Sequence, residues 1–141
     1  MNFNDIAKKR FSARTYLDKE IPQDILNEIL EAAHVAPTAA NLQPVRIFVI
    51  KSEEAKAKLS KGANIYKAPV ALLVCADKSK AWTRPFDGHQ SGDIDASILT
   101  DHMMLSATEK GLDSAVFRVC IKPQIKKYTP KTVFNFWGIL H

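Results

Sequence analysis

The stretch Ile21-Pro22-Gln23-Asp24-Ile25-Leu26-Asn27-Glu28-Ile29-Leu30-Glu31-Ala32-Ala33-His34 decides how the first third of the chain folds. Ile21, Ile25 and Ile29 recur every four residues, with Leu26, Leu30 and Ala33 beside them. That spacing predicts an amphipathic helix whose apolar stripe buries against a sheet. Pro22 suits the first turn, where its missing N–H is no loss, and Asp24 sits favourably near the positive helix end. His34 falls where a positive charge complements the helix C-terminus.

Two polar clusters flank this helix. Before it stands Arg10-Phe11-Ser12-Ala13-Arg14. In an extended chain, alternate side chains point the same way, so Arg10, Ser12 and Arg14 would face one spot suited to a phosphate or another anion. Taken alone, the same three residues also fit a solvated basic turn. After the helix stands Ala36-Pro37-Thr38-Ala39-Ala40-Asn41-Leu42-Gln43-Pro44. Its small residues let backbone approach a flat ligand, and the carboxamides of Asn41 and Gln43 each donate and accept. Alone, this segment also fits an ordinary helix stop, with Pro37 ending the helix and Asn41 making an Asx turn. The intervening helix has a length expected to bring the two clusters to one place.

Outward from there, Asn4 is expected to cap a short helix through Lys9. The β-branched run Val45–Ile50 reads as a strand, and Ser52 as the cap of a helix that stops before Gly62. Ala68–Ala76 is nearly all apolar, as a strand covered on both faces would be. Lys78–Gly92 is a loop holding Trp82, Arg84, Phe86 and His89. It reads either as a substrate-side wall or lid, or as a loop whose aromatics plug the core. Asp93–Lys110 is the longest helix, apolar nearly all round and therefore central, with Gly111 ending it. Ser114–Ile121 reads as a third strand, Pro123–Tyr128 as a short helix and Thr132–Leu140 as a final strand. The alternation of strands and helices predicts one domain over residues 1–141, a central sheet covered by helices.

The chain has 141 residues, of which 46% are hydrophobic and 25% charged, so it is long and apolar enough for a real core. The net charge of +5 favours an anionic ligand or surface without requiring nucleic acid. No basic run is interleaved with aromatics, and no apolar run reaches membrane length, so neither nucleic acid nor membrane is expected as a partner. Cys75 and Cys120 lie in apolar runs without CxxC spacing, which predicts buried thiols in a reducing compartment. The first residues lack an apolar leader, and a cytoplasmic protein is expected. His102 reads as a hydrogen-bonded core or interface histidine, since no second ligand stands at helical spacing from it. A GxSxG elbow, a P-loop lysine, a GxGxxG turn and a paired carboxylate are all lacking. No metal site or protein nucleophile is expected. The chemistry then falls to a bound cofactor, and an anion held by Arg10 and Arg14 beside ring-facing carboxamides suggests a phosphorylated flavin.

These same residues carry a family resemblance. Arg10–Arg14 resembles the RxSxR opening of the flavin-dependent nitroreductases, and Ala36–Pro44 their APSxxNxQP segment. Ala81–Gly88 followed by Asp93–Ile98, and Asp101–Ala107 leading to Gly111-Leu112, resemble a subgroup of small members. The match runs in order from the N-terminus to about Lys122. It implies an α+β three-layer sandwich, with a mixed or antiparallel central sheet flanked by helices. It also implies an intertwined homodimer with FMN at the subunit interface. NAD(P)H would reduce the flavin, and a nitro compound, quinone or similar small acceptor would take the electrons in a ping-pong cycle. By matching position, Arg10, Ser12 and Arg14 would hold phosphate, ribityl chain and ring edge. Pro37, Thr38, Ala39 and Asn41, with Gln43 near them, would reach the flavin of the partner subunit. The Leu112-Asp113 turn would approach the isoalloxazine. Val45 stands where members commonly carry Trp. After Lys127 the match fades, so the family's C-terminal arm and its basic phosphate ligand are expected to be missing or divergent. A chain of this kind that binds flavin or dimerises without turnover is the alternative expectation.

Overall fold

Strand β2 (Ala71–Asp77) organises the molecule, because both of its faces are buried and both of its edges are paired. In the computed structural model, which describes residues 2–117 and 132–139, β2 lies between β1 (Val45–Ile50) and β4 (Thr132–Ile139). The sheet order is β1-β2-β4-β3, with β3 (Ser114–Val116) at the far edge, and all three strand pairs are antiparallel. Leu72 stands opposite Val49 on one side and Trp137 on the other. One extra bridge, between Ser12 and Ser114, is parallel. The sheet expected as mixed or antiparallel is thus antiparallel throughout its named strands.

Alternation along β2 divides the core in two. Leu72, Val74 and Ala76 face the larger cluster with α2 (Gln23–His34) and α4 (Gly92–Glu109). Ala71 and Leu73 face a smaller cluster with Leu59 of α3 (Glu53–Ser60) and Ile65. Helices therefore cover both faces, in the three layers expected. Ile21, Leu26, Ile29 and Ala33 are the fully buried part of the predicted stripe, and Ile25 and Leu30 pack at its margin. On α4 the inner face is Ala96, Leu99, Thr100, Met103 and Ala107. The buried hydroxyls of Thr100 and Thr108 each donate to the carbonyl four residues back, at 2.7 and 3.0 Å, so neither is left unpaired.

Termini of the helices follow local chemistry. The cap of α1 (Phe3–Lys9) is Asn2, not Asn4: its side chain accepts from Asp5 N–H, and the Asp5 carboxylate accepts from Asn2 N–H. Asn4 lies inside the helix. Gly111, at φ 77°, closes α4 in the left-handed conformation, with Leu112 N–H donating to Ala107 O and Gly111 N–H to Thr108 O. The strand expected over Ser114–Ile121 is paired over Ser114–Val116, and the final strand expected over Thr132–Leu140 over Thr132–Ile139. The helix expected over Pro123–Tyr128 and the thiol of Cys120 lie outside the described residues. Cys75 is buried, and that burial pushes its thiol pKa up to about 12.

Leu72 has no exposed surface, whereas Val49 on edge strand β1 is 39% exposed. Leu72→Ala is expected to cost about 2–5 kcal/mol of unfolding free energy in a urea titration. Val49→Ala is expected to cost less than half of that, and a larger loss at Val49 than at Leu72 would contradict the central place of β2.

Candidate functional site

The first polar cluster forms as its spacing predicts. After α1 the chain runs extended alongside β3, and Ala13 N–H donates to Ser114 O at 3.0 Å. Ala13 is buried, and its neighbours Ser12 and Arg14 are exposed. Arg10 Nη1 lies 3.5 Å from Ser12 Oγ, and Arg14 Nη1 donates to Ser12 O at 3.0 Å. Two guanidiniums thus converge on one serine. Beneath it, Ser114 Oγ is buried with no hydrogen-bond partner among the described residues.

Tyr16 belongs to this cluster and was not singled out in the sequence. Its hydroxyl donates to Ala13 O. Burial, and then the negative charge of Asp113, push its pKa up to about 12, while Arg14 pulls the other way. Asp113 therefore stands within electrostatic reach of Tyr16. The Leu112 side chain is buried in the main core, which leaves its backbone for the approach expected of the Leu112-Asp113 turn.

The second cluster is a turn around a short 3-10 segment, Ala39–Asn41. Ala40, Asn41 and Gln43 all have positive φ, at 49°, 52° and 48°. Thr38, rather than an Asx turn at Asn41, closes it: Thr38 Oγ1 accepts from Gln43 N–H at 3.0 Å, and Thr38 O from Asn41 N–H. The Asn41 carbonyl accepts from the Gln43 amide at 3.2 Å, so the two carboxamides are paired and exposed together. Pro37 is exposed at the entry, and buried Pro44 at the exit accepts from Asp77 N–H. A cleft of about 270 Å3 opens between the end of α2, this turn, β1 and Leu99. Ala39 N–H donates to Asp95 Oδ1 at 2.9 Å. The sequence does not single out Asp95, since a bond across 56 residues leaves no local signal.

The two clusters do not meet within one chain. Glu28 on α2 pairs with Lys110 just past α4, while Ala39, beyond the end of α2, bonds Asp95 in the first turns of α4. The helices therefore run antiparallel. The Arg10–Arg14 segment is docked on Ser114, beyond the C-terminus of α4, and the Thr38–Gln43 turn near its N-terminus. From Asp95 to Glu109 the helix axis rises about 21 Å. The expectation that the intervening helix brings its two ends together is thus corrected.

The aromatics of Lys78–Gly92 do not plug the core. Phe86 is 81% exposed and Trp82 is at the surface, while Ala81 is buried. The segment is a small hairpin joined by a Thr83–Gln90 bridge. Arg84 forks onto Asp87 through contacts of 2.8 and 2.5 Å, stacks over the Phe86 ring, and holds the Asp87 carboxyl below the usual carboxylate range. His102 Nδ1 shares a 3.0 Å hydrogen bond with Ile98 O. Among the described residues no His, Cys, Asp or Glu group is arranged to hold a metal ion, and no helix is long and apolar enough to cross a membrane.

Known proteins resemble this chain in both sequence and fold. The profile of the nitroreductase family matches residues 7–63. A nitroreductase family protein of Clostridium difficile, known from its crystal structure, is 47% identical and superposes with a TM-score of 0.91 over 98% of this chain and 84% of that one. An FMN-dependent nitroreductase of Clostridium difficile R20291 is 28% identical, with a TM-score of 0.79 over 96% of this chain and 85% of that one. A Methanothermobacter thermautotrophicus protein provisionally named an NADH dehydrogenase/NAD(P)H nitroreductase is 32% identical over 116 residues, 79% of this chain. The match spans 58% of that relative's length.

Tyr16 gives the first cluster a measurable signature. Its folded pKa stands above its unfolded value, so it contributes stability that is full below about pH 10 and is lost as pH rises toward about 12. In an alkaline absorbance titration, Tyr16→Phe is expected to remove a tyrosinate step centred near pH 12. Loss of a step near pH 10 instead would place Tyr16 in water, away from Asp113.

Proposed function

The chain belongs to the nitroreductase family, and on that premise we propose that it is an FMN-dependent oxidoreductase using NAD(P)H as electron donor. The observation that carries this reading is the convergence of Arg10, Ser12 and Arg14 on one side of an extended segment. Two fixed cations and a hydroxyl match a phosphate monoester with an adjoining polyol and polar ring edge. Ser114 Oγ, buried beneath them without a partner among the described residues, is a further polar group at the same place.

Bound FMN would supply the hydride-accepting ring, passing electrons from the nicotinamide to a nitro compound, a quinone or a similar acceptor. The protein's part is binding and electrostatics. Arg10, Ser12 and Arg14 hold the phosphate, ribityl chain and ring edge, and the positive charge favours the electron-rich form of that edge. Pro37, Thr38, Ala39, Asn41 and Gln43 line the ring from a second copy of the chain. The Leu112-Asp113 turn approaches through backbone. Two substrates that react in turn at one flavin require no separate acceptor pocket, which fits a ping-pong order.

The homodimer in this reading is supported by the separation of the two clusters and by the outer face of α4. Ile94 is 53% exposed there, beside a shallow groove of about 460 Å3 lined by Asp93, Ile94, Ser97, Ile98, Asp101 and His102. An apolar stripe on both sides of one helix is what a helix buried between two subunits requires. A cytoplasmic setting fits the buried, unpaired Cys75.

Purified protein is expected to carry a flavin absorption spectrum and to oxidise NADH or NADPH only when an acceptor is present. A colourless protein that added FMN does not stabilise in a thermal melt would contradict the proposal. FMN binding without reduction by either nicotinamide would select the non-catalytic alternative. Arg14→Ala is expected to weaken FMN binding by about 1.5–3 kcal/mol, raising Kd roughly 10- to 150-fold. Fluorescence quenching of FMN measures this, and an unchanged Kd would reject the role of Arg14.

A further inference from the structure

The Thr38–Gln43 turn holds three non-glycine residues in the left-handed region. Each such residue costs free energy and persists only where its surroundings hold it. The bonds from Asn41 and Gln43 back to Thr38 close the turn on itself but tie it to nothing else. At its far end the ties are Asp77 N–H to Pro44 O, at 2.8 Å, and Arg46 Nη1 to Gln43 O, at 3.4 Å. At its near end the tie is Ala39 N–H to Asp95 Oδ1. Asp95 is 1% exposed, and its other oxygen accepts from Ser91 Oγ at 2.7 Å. Ser91 N–H donates in turn to Trp82 O at 2.9 Å, at the base of the exposed hairpin. One carboxylate thus joins the turn to the hairpin.

A carboxylate in the interior is costly, and an apolar side chain would bury this face of α4 more favourably. What Asp95 offers instead is two acceptors matched to donors from two separate segments, at a helix end whose dipole favours a negative charge. We infer that Asp95 is the positioning residue of the flavin site: through Ala39 it fixes the strained turn that presents Asn41 and Gln43, and through Ser91 it fixes the hairpin beside it. This inference rests on the flavin reading above. Asp95 itself touches no ligand.

The test uses the full chain and two readouts. One is the exchange rate of the Ala39 amide proton in the flavin-free protein, by NMR. The other is the FMN Kd. Asp95→Ala removes both acceptors. Asp95→Asn keeps the shape, with its carbonyl accepting from Ala39 N–H and its amide donating to Ser91 Oγ. Asp95→Ala is expected to speed Ala39 exchange and raise the FMN Kd, each by roughly tenfold or more, while Asp95→Asn keeps both within about threefold of wild type. Leu59→Ala, in the cluster on the other face of the sheet, is expected to lower the thermal midpoint and leave both readouts unchanged. That separates positioning from general stability. Should Asp95→Ala fail to fold, Ser91→Ala serves, with a smaller shift of both readouts in the same direction.

Wild-type values of both readouts in Asp95→Ala, or in Ser91→Ala where it serves, overturn the inference. Equal losses in Asp95→Asn and Asp95→Ala overturn it too, because hydrogen-bond geometry would then not be the cause. A wild-type chain that protects Ala39 yet binds no FMN overturns the flavin reading alone, and the exchange rates still decide the role of Asp95.

Discussion

The antiparallel packing of α2 on α4 is the constraint on which the rest depends. It buries Ile29 and Met103 completely, against Leu72 and Val74 of β2. It also fixes where the ends of both helices go. The chain enters α2 from the Arg10–Arg14 segment and leaves it into the Thr38–Gln43 turn. Because the two helices run in opposite directions, the first segment docks beyond the C-terminus of α4 and the second near its N-terminus. The same hydrophobic burial that stabilises the fold thereby separates the two clusters of the proposed site within one chain.

The two halves are held by different means. Arg10 and Arg14 sit on a segment that borrows its rigidity from the sheet, through the bridge to Ser114 and the buried Ala13. The turn with Asn41 and Gln43 meets the sheet only at its exit, where Asp77 of β2 donates to Pro44 O. Its left-handed residues are offset by a buried carboxylate on one side and by β2 on the other. A buried carboxyl group is an expensive brace, and here it ties down a strained backbone.

Much of this was legible in the residues. The four-residue spacing from Ile21 to Ile29 and the unbroken apolar run through β2 each reflect burial within a single element, and local pattern carries that kind of information. So does the alternation of Arg10, Ser12 and Arg14. What was not legible involves partners distant along the chain. The direction of α2 relative to α4 depends on which residues pair across the bundle, such as Glu28 with Lys110, and spacing within one helix is silent about it. Asp95 carries no local signal of its role, because its bond to Ala39 spans 56 residues. Even a short-range feature was misread: Asn2 and Asn4 are both good caps, and only the reciprocal bond with Asp5 decides between them. In the Trp82–Gln90 hairpin, Phe86 is exposed with Arg84 stacked over its ring and paired to Asp87, a placement that hydrophobicity alone does not predict.

The central claim is that Arg14 and Asn41 of one chain serve different flavins. It is tested most directly by FMN binding to mixed dimers. Arg14→Ala and Asn41→Ala are each purified, shown to bind FMN weakly, then mixed under conditions that exchange subunits. If each site draws on two chains, the mixed dimer contains one doubly defective site and one intact one. The account predicts that half of the sites in mixed dimers recover the wild-type FMN Kd. A mixture that binds FMN no more tightly than its two components would contradict it, and would place both residues at a site within a single chain.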